Sequence, residues 1–267
     1  MHSADVIEQR IKAATKGMPK ACFDKLLRLG NGNGVIIADY LLAYKIESAV
    51  QDSTRDTVCD NLELFIRKVD KPFSSVTRQD ILLFLSNLKK PEDKNKRRKW
   101  IGTYNLFSTH IRQFFKWFYY PDVGPKRRQT PAIVDDLPKP GKPGRTYRPI
   151  DMWMPNQQLV FLKYCPNPKI KCYHAIATFT GARPHEILGL KIGDLKWLPN
   201  GEGVIFEVTG KTGSRTLKIM VPFFMDFVKR WIDQHPRNKV PSSYLIYSKK
   251  TDGKLAPSSL WSSSLNS

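Results

Sequence analysis

From Ala38 to Tyr120 the apolar residues recur at helical spacing, and no alternating run interrupts them. Leu41, Leu42, Tyr44 and Ile46 open the pattern, and Leu62, Leu64, Phe65 and Ile66 continue it. The stretch "VTRQDILLFLSNL" begins with Thr77, a good N-cap ahead of an apolar stripe. In "TYNLFSTHIRQFFKWFYY", Tyr104, Phe107, Ile111, Phe114 or Phe115, and Phe118 share one helical face, while Arg112 and Lys116 lie one turn apart on another. The stripe predicts core; the basic pair could touch an anion.

Between Lys89 and Lys99, "KKPEDKNKRRK" carries seven basic residues in eleven, most simply a solvated loop. Residues 121 to 149 then change texture, with seven prolines in 29 positions. Such a segment is extended and semi-rigid, so 121–150 is expected to be a linker. Its basic residues, among them Arg127, Arg128, Arg145 and Arg148, suit either a strap along a polyanion or a solvated connector.

Beyond it, "PNQQLVFLKYC" and "KCYHAIATFTG" read as short helices, and "RPHEILGLKI" as another with Pro184 in its first turn. Two β-rich runs, Val204 to Val208 and Thr216 to Val221, flank a Gly-containing turn and predict a hairpin. "FFMDFVKRWIDQHP" returns to helix, and "SYLIYS" is a short strand-like run. No internal repeat is visible. The expected fold is mainly α with a small β-hairpin or sheet (α+β): a helical domain over 1–120, the linker, and a mixed domain over 151–267.

Composition changes the picture chiefly through charge. The 267 residues are 41% hydrophobic, enough for real cores, and carry 44 Lys+Arg against 24 Asp+Glu, a formal charge of +20. Residues 1–150 hold 28 basic and 16 acidic side chains, and residues 151–267 hold 16 and 8, so neither half is merely a cationic tail. A polyanion, above all nucleic acid, is the expected partner. Cys22, Cys59, Cys165 and Cys172 show neither metal-ligand nor secreted-framework spacing, which predicts a reduced, metal-free, intracellular protein. No secretory leader and no apolar run of membrane-spanning length is present, so a soluble cytoplasmic location is expected.

The candidate chemistry centres on "TFTGARPHEILGLKIGDL", Thr178 to Leu195. Arg183 stands at the mouth of a segment whose Ile187, Leu188, Leu190, Ile192 and Leu195 read as buried helix. A charge entering a core is costly unless paired, so either Glu186 or an anionic ligand must answer it. Lys211, in "TGKTGSR", invites a phosphate-loop reading. That motif needs a glycine where Ile205 stands, and it leads into a helix rather than a strand, so no nucleotide cofactor is expected.

"FTGARPHEILGLKIGDL" resembles the first arginine box of the tyrosine recombinases, the lambda-type integrase family: Thr180, Gly181, Arg183, Glu186, Ile187, Leu188, Leu190 and Asp194 all fit. Its Pro-His-Glu variant is most similar to archaeal-type integrases. Lys211 falls where the family carries its catalytic lysine, and "SSVTRQDILLFLSNL" and "THIRQFFKWF" resemble the family's core-binding domain. The resemblance implies a SAM-like all-α core-binding domain and a mixed α/β catalytic domain clamped around double-stranded DNA.

It further implies a tyrosine attacking a phosphodiester to give a 3′-phosphotyrosyl link, without metal or cofactor. Arg183 would hold the non-bridging oxygens, Lys211 would protonate the leaving 5′-oxygen, and Glu186 would orient the arginine. Arg112, Lys116, Arg127, Arg128, Arg145, Arg148, His185 and Arg215 are the candidate DNA contacts. Self-association on DNA, as a tetramer in a complete enzyme, is implied too. The family's second box, His-x-x-Arg, and its nucleophilic Tyr lie beyond the "YLIYS" region, and no His or Arg follows Arg237. Tyr244 and Tyr247 read as structural, so a C-terminally truncated active site is expected. The rival readings are a non-catalytic DNA-binding remnant or regulator of recombination sites, and a helical transcription regulator.

Overall fold

The computed structural model describes residues 4–90, 100–141, 152–210, 213–248 and 253–255. The chain divides into two compact units, Met1–Arg148 and Pro149–Ser267.

The first unit is helical: α1 (Ala4–Ala14), α2 (Lys20–Arg28), α3 (Asn33–Ser48), α4 (Asp52–Val69), α5 (Arg78–Asn87) and α6 (Trp100–Tyr119). Helix therefore starts well before the Ala38 expected from periodicity. A Cβ on Gly34 would collide with the Leu26 carbonyl oxygen, so glycine lets the start of α3 cross α2 at backbone distance. Asn33 is buried there, donating to the Lys71 carbonyl (3.0 Å) and accepting from the Phe73 N–H (3.1 Å).

The aromatic face of α6 is core, with Tyr104, Phe107, Ile111, Phe114 and Phe115 all buried and Phe114 4.3 Å from Phe73 between ring centroids. The opening stripe of α3 is only half so: Leu41 is buried, but Leu42 and Ile46 face solvent. Thr77 caps α5 reciprocally with Asp80. The Thr77 N–H donates to Asp80 Oδ2 (2.9 Å), and Thr77 Oγ1 accepts from the Asp80 N–H (3.3 Å).

Two features of this unit carry no local sequence signal. Cys22 of α2 and Cys59 of α4 form a disulfide, a departure from the expected reduced thiols; a separation of 37 residues leaves no spacing motif to read. Arg55 is fully buried, with Nη1 on Asp52 Oδ1 (2.5 Å), Nε on the Leu41 carbonyl (3.2 Å) and Nη2 on the Ala14 carbonyl, so one guanidinium ties α1, α3 and α4 together. Of the proline-rich stretch, residues 121–141 pack on this unit, with Val134 and Leu137 buried in its core and Arg78 donating to the carbonyls of Ala132, Asp135 and Asp136. Residues 142–151 lie outside the described residues.

The second unit comprises α7 (Pro155–Tyr164), α8 (Pro168–Thr180), the single turn α9 (Pro184–Ile187), β1 (Lys196–Trp197), β2 (Val204–Gly210), β3 (Gly213–Ile219) and α10 (Pro222–Gln234). The three strands form one antiparallel sheet in the order β1-β2-β3, with Val208 opposite Arg215 and Gly210 opposite Gly213. The expected hairpin is β2–β3; two-residue β1 is too short to show periodicity. Val204, Phe206 and Val208 alternate into a core they share with Ile176, Ile187, Leu188 and Val228.

Two expectations change here. The segment after Pro184 is not a continuous helix: Leu188, Leu190 and Leu195 are buried, but the Leu190 carbonyl takes the Leu245 N–H (2.8 Å) and the Ile192 N–H goes to the Ser243 carbonyl (2.9 Å). Those bonds to a distant segment replace helical ones. "YLIYS" in turn is not an alternating strand. Leu245 and Ile246 are both buried, and only isolated bridges, Lys191 to Tyr244 and Tyr247 to Lys254, flank them. Among the described residues no helix is long and apolar enough to cross a membrane.

Candidate functional site

The arginine of the opening motif is set in place by backbone chemistry. Helix α8 ends on Gly181 in the left-handed region (φ 63°), which glycine enters without a Cβ penalty. Thr180 Oγ1 donates to the Ile176 carbonyl (2.7 Å) and accepts the Ala182 N–H (3.2 Å), closing the turn. Pro184 keeps Arg183 extended (φ −71°, ψ 152°) and opens α9 itself. Arg183 thus caps a turn whose third residue is Glu186.

Glu186 answers the arginine, and does so from inside. Its side chain is 1% exposed, against 51% for Arg183 and 46% for Arg215. Glu186 Oε2 accepts the Arg183 backbone N–H (2.7 Å) and Arg215 Nη2 (2.8 Å), and Oε1 accepts Arg183 Nη1 (3.3 Å). The backbone N–H of Arg183 is the foremost cause holding this carboxyl below its ordinary range; burial opposes it, and Arg215 and Arg183 reinforce it. A buried carboxylate therefore carries two half-exposed guanidiniums, one from the α8–α9 turn and one from β3.

Gly210 at the end of β2 completes the packing. A Cβ there would come within 2.5 Å of Glu186 Oε1 and 3.3 Å of Arg183 Nη1, so the hairpin backbone lies directly on the ion pair. Sequence reading passed over this glycine, although its place just before Lys211 was the available signal. Lys211 itself lies outside the described residues, as do Arg145 and Arg148.

The other candidates are dispersed. His185 is exposed on α9. Arg112 and Lys116 are half-buried on α6 in the first unit, and Arg112 Nε is buried with no hydrogen-bond partner among the described residues. Arg127 is exposed. Arg128, expected to face a polyanion, is instead buried, pairing with both Glu47 oxygens (2.9 Å through Nη1) and donating to the Tyr120 and Pro121 carbonyls. Its charge is spent inside the fold. Among the described residues no group of three or more His, Cys, Asp or Glu side chains could hold a metal ion.

No protein-family model matches the chain, and no curated protein sequence matches it. Solved structures do. The chain is similar to a lambda integrase tetramer bound to a Holliday junction, with a TM-score of 0.59 and 14% identity over 90% of this chain and 67% of that one. It is also similar to the XerH site-specific recombinase bound to palindromic difH substrate in a post-cleavage complex, with a TM-score of 0.57 and 13% identity over 97% of this chain and 77% of that one. A lambda integrase dimer bound to a COC′ core site gives 0.55 at 15%, over 84% and 59%. The mostly helical architecture with its small antiparallel sheet is the α+β fold of the tyrosine recombinases.

Proposed function

We propose that this chain is an integrase-type tyrosine recombinase that engages duplex DNA and acts on a backbone phosphodiester. The observation that carries the reading is the site on Glu186: a buried carboxylate presents the half-exposed Arg183 guanidinium, within a recombinase fold, where the resembling motif needs its phosphate-holding arginine. The planar fork of guanidinium suits two non-bridging oxygens as charge builds on them, and a preorganised donor needs no rearrangement at that moment. Glu186 positions the arginine. Lys211, next in sequence to the glycine packed on this pair, is assigned the protonation of the leaving 5′-oxygen. The Pro-His-Glu form of the box favours an archaeal-type member, working on cellular DNA in the cytoplasm and self-associating there.

A second reading is a DNA-binding regulator of recombination sites, favoured by the formal charge of +20 spread over both halves of the chain, which supports duplex binding without strand transfer. Both readings require duplex binding through phosphates. Titrating a labelled duplex at rising salt tests that requirement, because each neutralised phosphate releases counterions. Affinity should fall steeply between ~50 and ~200 mM salt; a flat profile would overturn both readings.

A further inference from the structure

Two guanidiniums on a single carboxylate leave the site one positive charge in excess. Arg183 gives Nη1 to Glu186 Oε1, and Arg215 gives Nη2 to Oε2, so one carboxylate's width separates the two contacts. Among the described residues neither arginine side chain hydrogen-bonds any other group, and both remain about half exposed. Each planar head carries five N–H donors, and each spends one on Glu186. The remainder, on two adjacent forks that would otherwise repel one another, have no acceptor among the described residues.

The supports of this pair are rigid. Arg215 sits on β3 opposite Val208, a buried residue of β2. Arg183 is fixed by its own N–H on the same carboxylate, and Gly210 closes the third side. If Arg215 served only to neutralise Glu186 it would be redundant, since Arg183 already supplies one positive charge to that buried group. A neutralising lysine would also do, whereas a flat, multi-donor head is what an anion with several oxygens uses.

We propose that Arg183 and Arg215 form one anion site that grips a single phosphodiester of the DNA backbone, with Arg215 supplying the second phosphate-holding guanidinium. This rests on the duplex-DNA reading above and deepens it. Arg215 contacts the phosphate directly, and Glu186 holds the two forks at a fixed spacing. The site needs no residue beyond Ile219, so it works whether or not a later arginine box exists.

The test uses the full chain labelled with ¹⁵N at arginine side chains and titrated with inorganic phosphate. The Nε–H signals of Arg183 and Arg215, assigned from R183K and R215K, should move together with one shared midpoint. R215K should weaken the midpoint read at Arg183 by at least about tenfold, the loss of one charge-assisted contact, while R67A, at an exposed position of α4 in the first unit, leaves it unchanged. Different midpoints for the two wild-type signals would overturn the proposal without recourse to any variant. So would an Arg183 midpoint indifferent to R215K, provided the Arg183 backbone amide keeps its exchange protection. A duplex titration on the same sample separates the two levels: salt-dependent binding with independent arginine midpoints removes the shared site and leaves the DNA reading, whereas failure to bind duplex removes that reading.

Discussion

Removing the Glu186 carboxylate should loosen the second unit while leaving the first intact. Glu186→Ala deletes the acceptor of a backbone N–H at 2.7 Å and of two guanidinium contacts at 2.8 and 3.3 Å, all converging on a side chain that is 1% exposed. The N–H contact, charge-assisted and inside the fold, is worth about 1.5–3 kcal/mol. The two ion pairs end on half-exposed arginines that water can resolvate, so they add only about 0–1 kcal/mol each. The sum is about 1.5–5 kcal/mol, or a urea midpoint lower by about 0.7–2.5 M at an m-value of about 2 kcal/mol/M. Glu186→Gln should lose about half of this, because its amide oxygen keeps one acceptor while its NH₂ group faces an arginine. The pH dependence follows from the direction of the shift. A carboxyl held below its ordinary range stabilises fully above the unfolded pKa, about 4.3, and that contribution disappears as pH falls through the folded value. Hydrogen exchange by mass spectrometry on the intact chain, in graded urea, resolves the two units. Protection lost in α8, β2 and β3 but unchanged in α1–α6 is the expected result. A loss below about 0.5 kcal/mol for Glu186→Ala would refute the reasoning.

The first unit offers independent tests. Arg55→Met should cost about 3–5 kcal/mol, the range for breaking a buried charged contact, seen as lost exchange protection in α1 and α4. Asp80→Ala should cost about 0.5–2 kcal/mol by removing the cap of α5. The Lys71 ammonium, aided by the Thr77 N–H and hydroxyl, holds the Asp80 carboxyl at about 2. Its contribution should therefore be complete above the unfolded carboxylate pKa and be lost as pH falls from there through the folded value of about 2, which an acid titration of α5 protection would follow. Arg128→Ala should destabilise this unit without altering the salt slope of duplex binding, because its charge is committed to Glu47; Arg127→Ala, at an exposed position, should lower the slope by about one phosphate contact.

How far the sequence spoke for this structure depended on the range of each determinant. The α5 cap was legible because Thr77 and Asp80 are three residues apart, and the α6 stripe because five aromatic or aliphatic positions repeat within a few turns. The Arg183–Glu186 pairing was legible for the same reason. Arg215 was visible only as a basic side chain in the expected turn, one residue before its second β-rich run; its place on Glu186 depends on folding the hairpin over the α8–α9 turn, 29 residues away. Long-range partners account for the remaining differences. Arg128 looks like any linker cation until Glu47, 81 residues earlier, is brought to it. Ile187 to Leu195 has helical apolar spacing, yet the backbone groups of Leu190 and Ile192 are claimed by residues 243–245. Burial was thus predicted correctly for Ile187, Leu188, Leu190 and Leu195, and conformation was not; Ile192 is only partly buried.

The central claim, that the Arg183 site serves strand transfer on a DNA phosphodiester, is tested most directly by covalent trapping on a library of nicked suicide duplexes with randomised sequence, read on denaturing gels. Arg183 and Arg215 can hold a phosphate, and Lys211 can give a proton, but none of them supplies a tyrosyl attack. The 267-residue chain should accordingly bind duplex and form no adduct. Extended by a segment carrying His-x-x-Arg and a tyrosine, it should form one, abolished by Arg183→Lys because ammonium cannot reproduce a two-pronged contact. No adduct from the extended chain, or one that survives Arg183→Lys, would contradict the account.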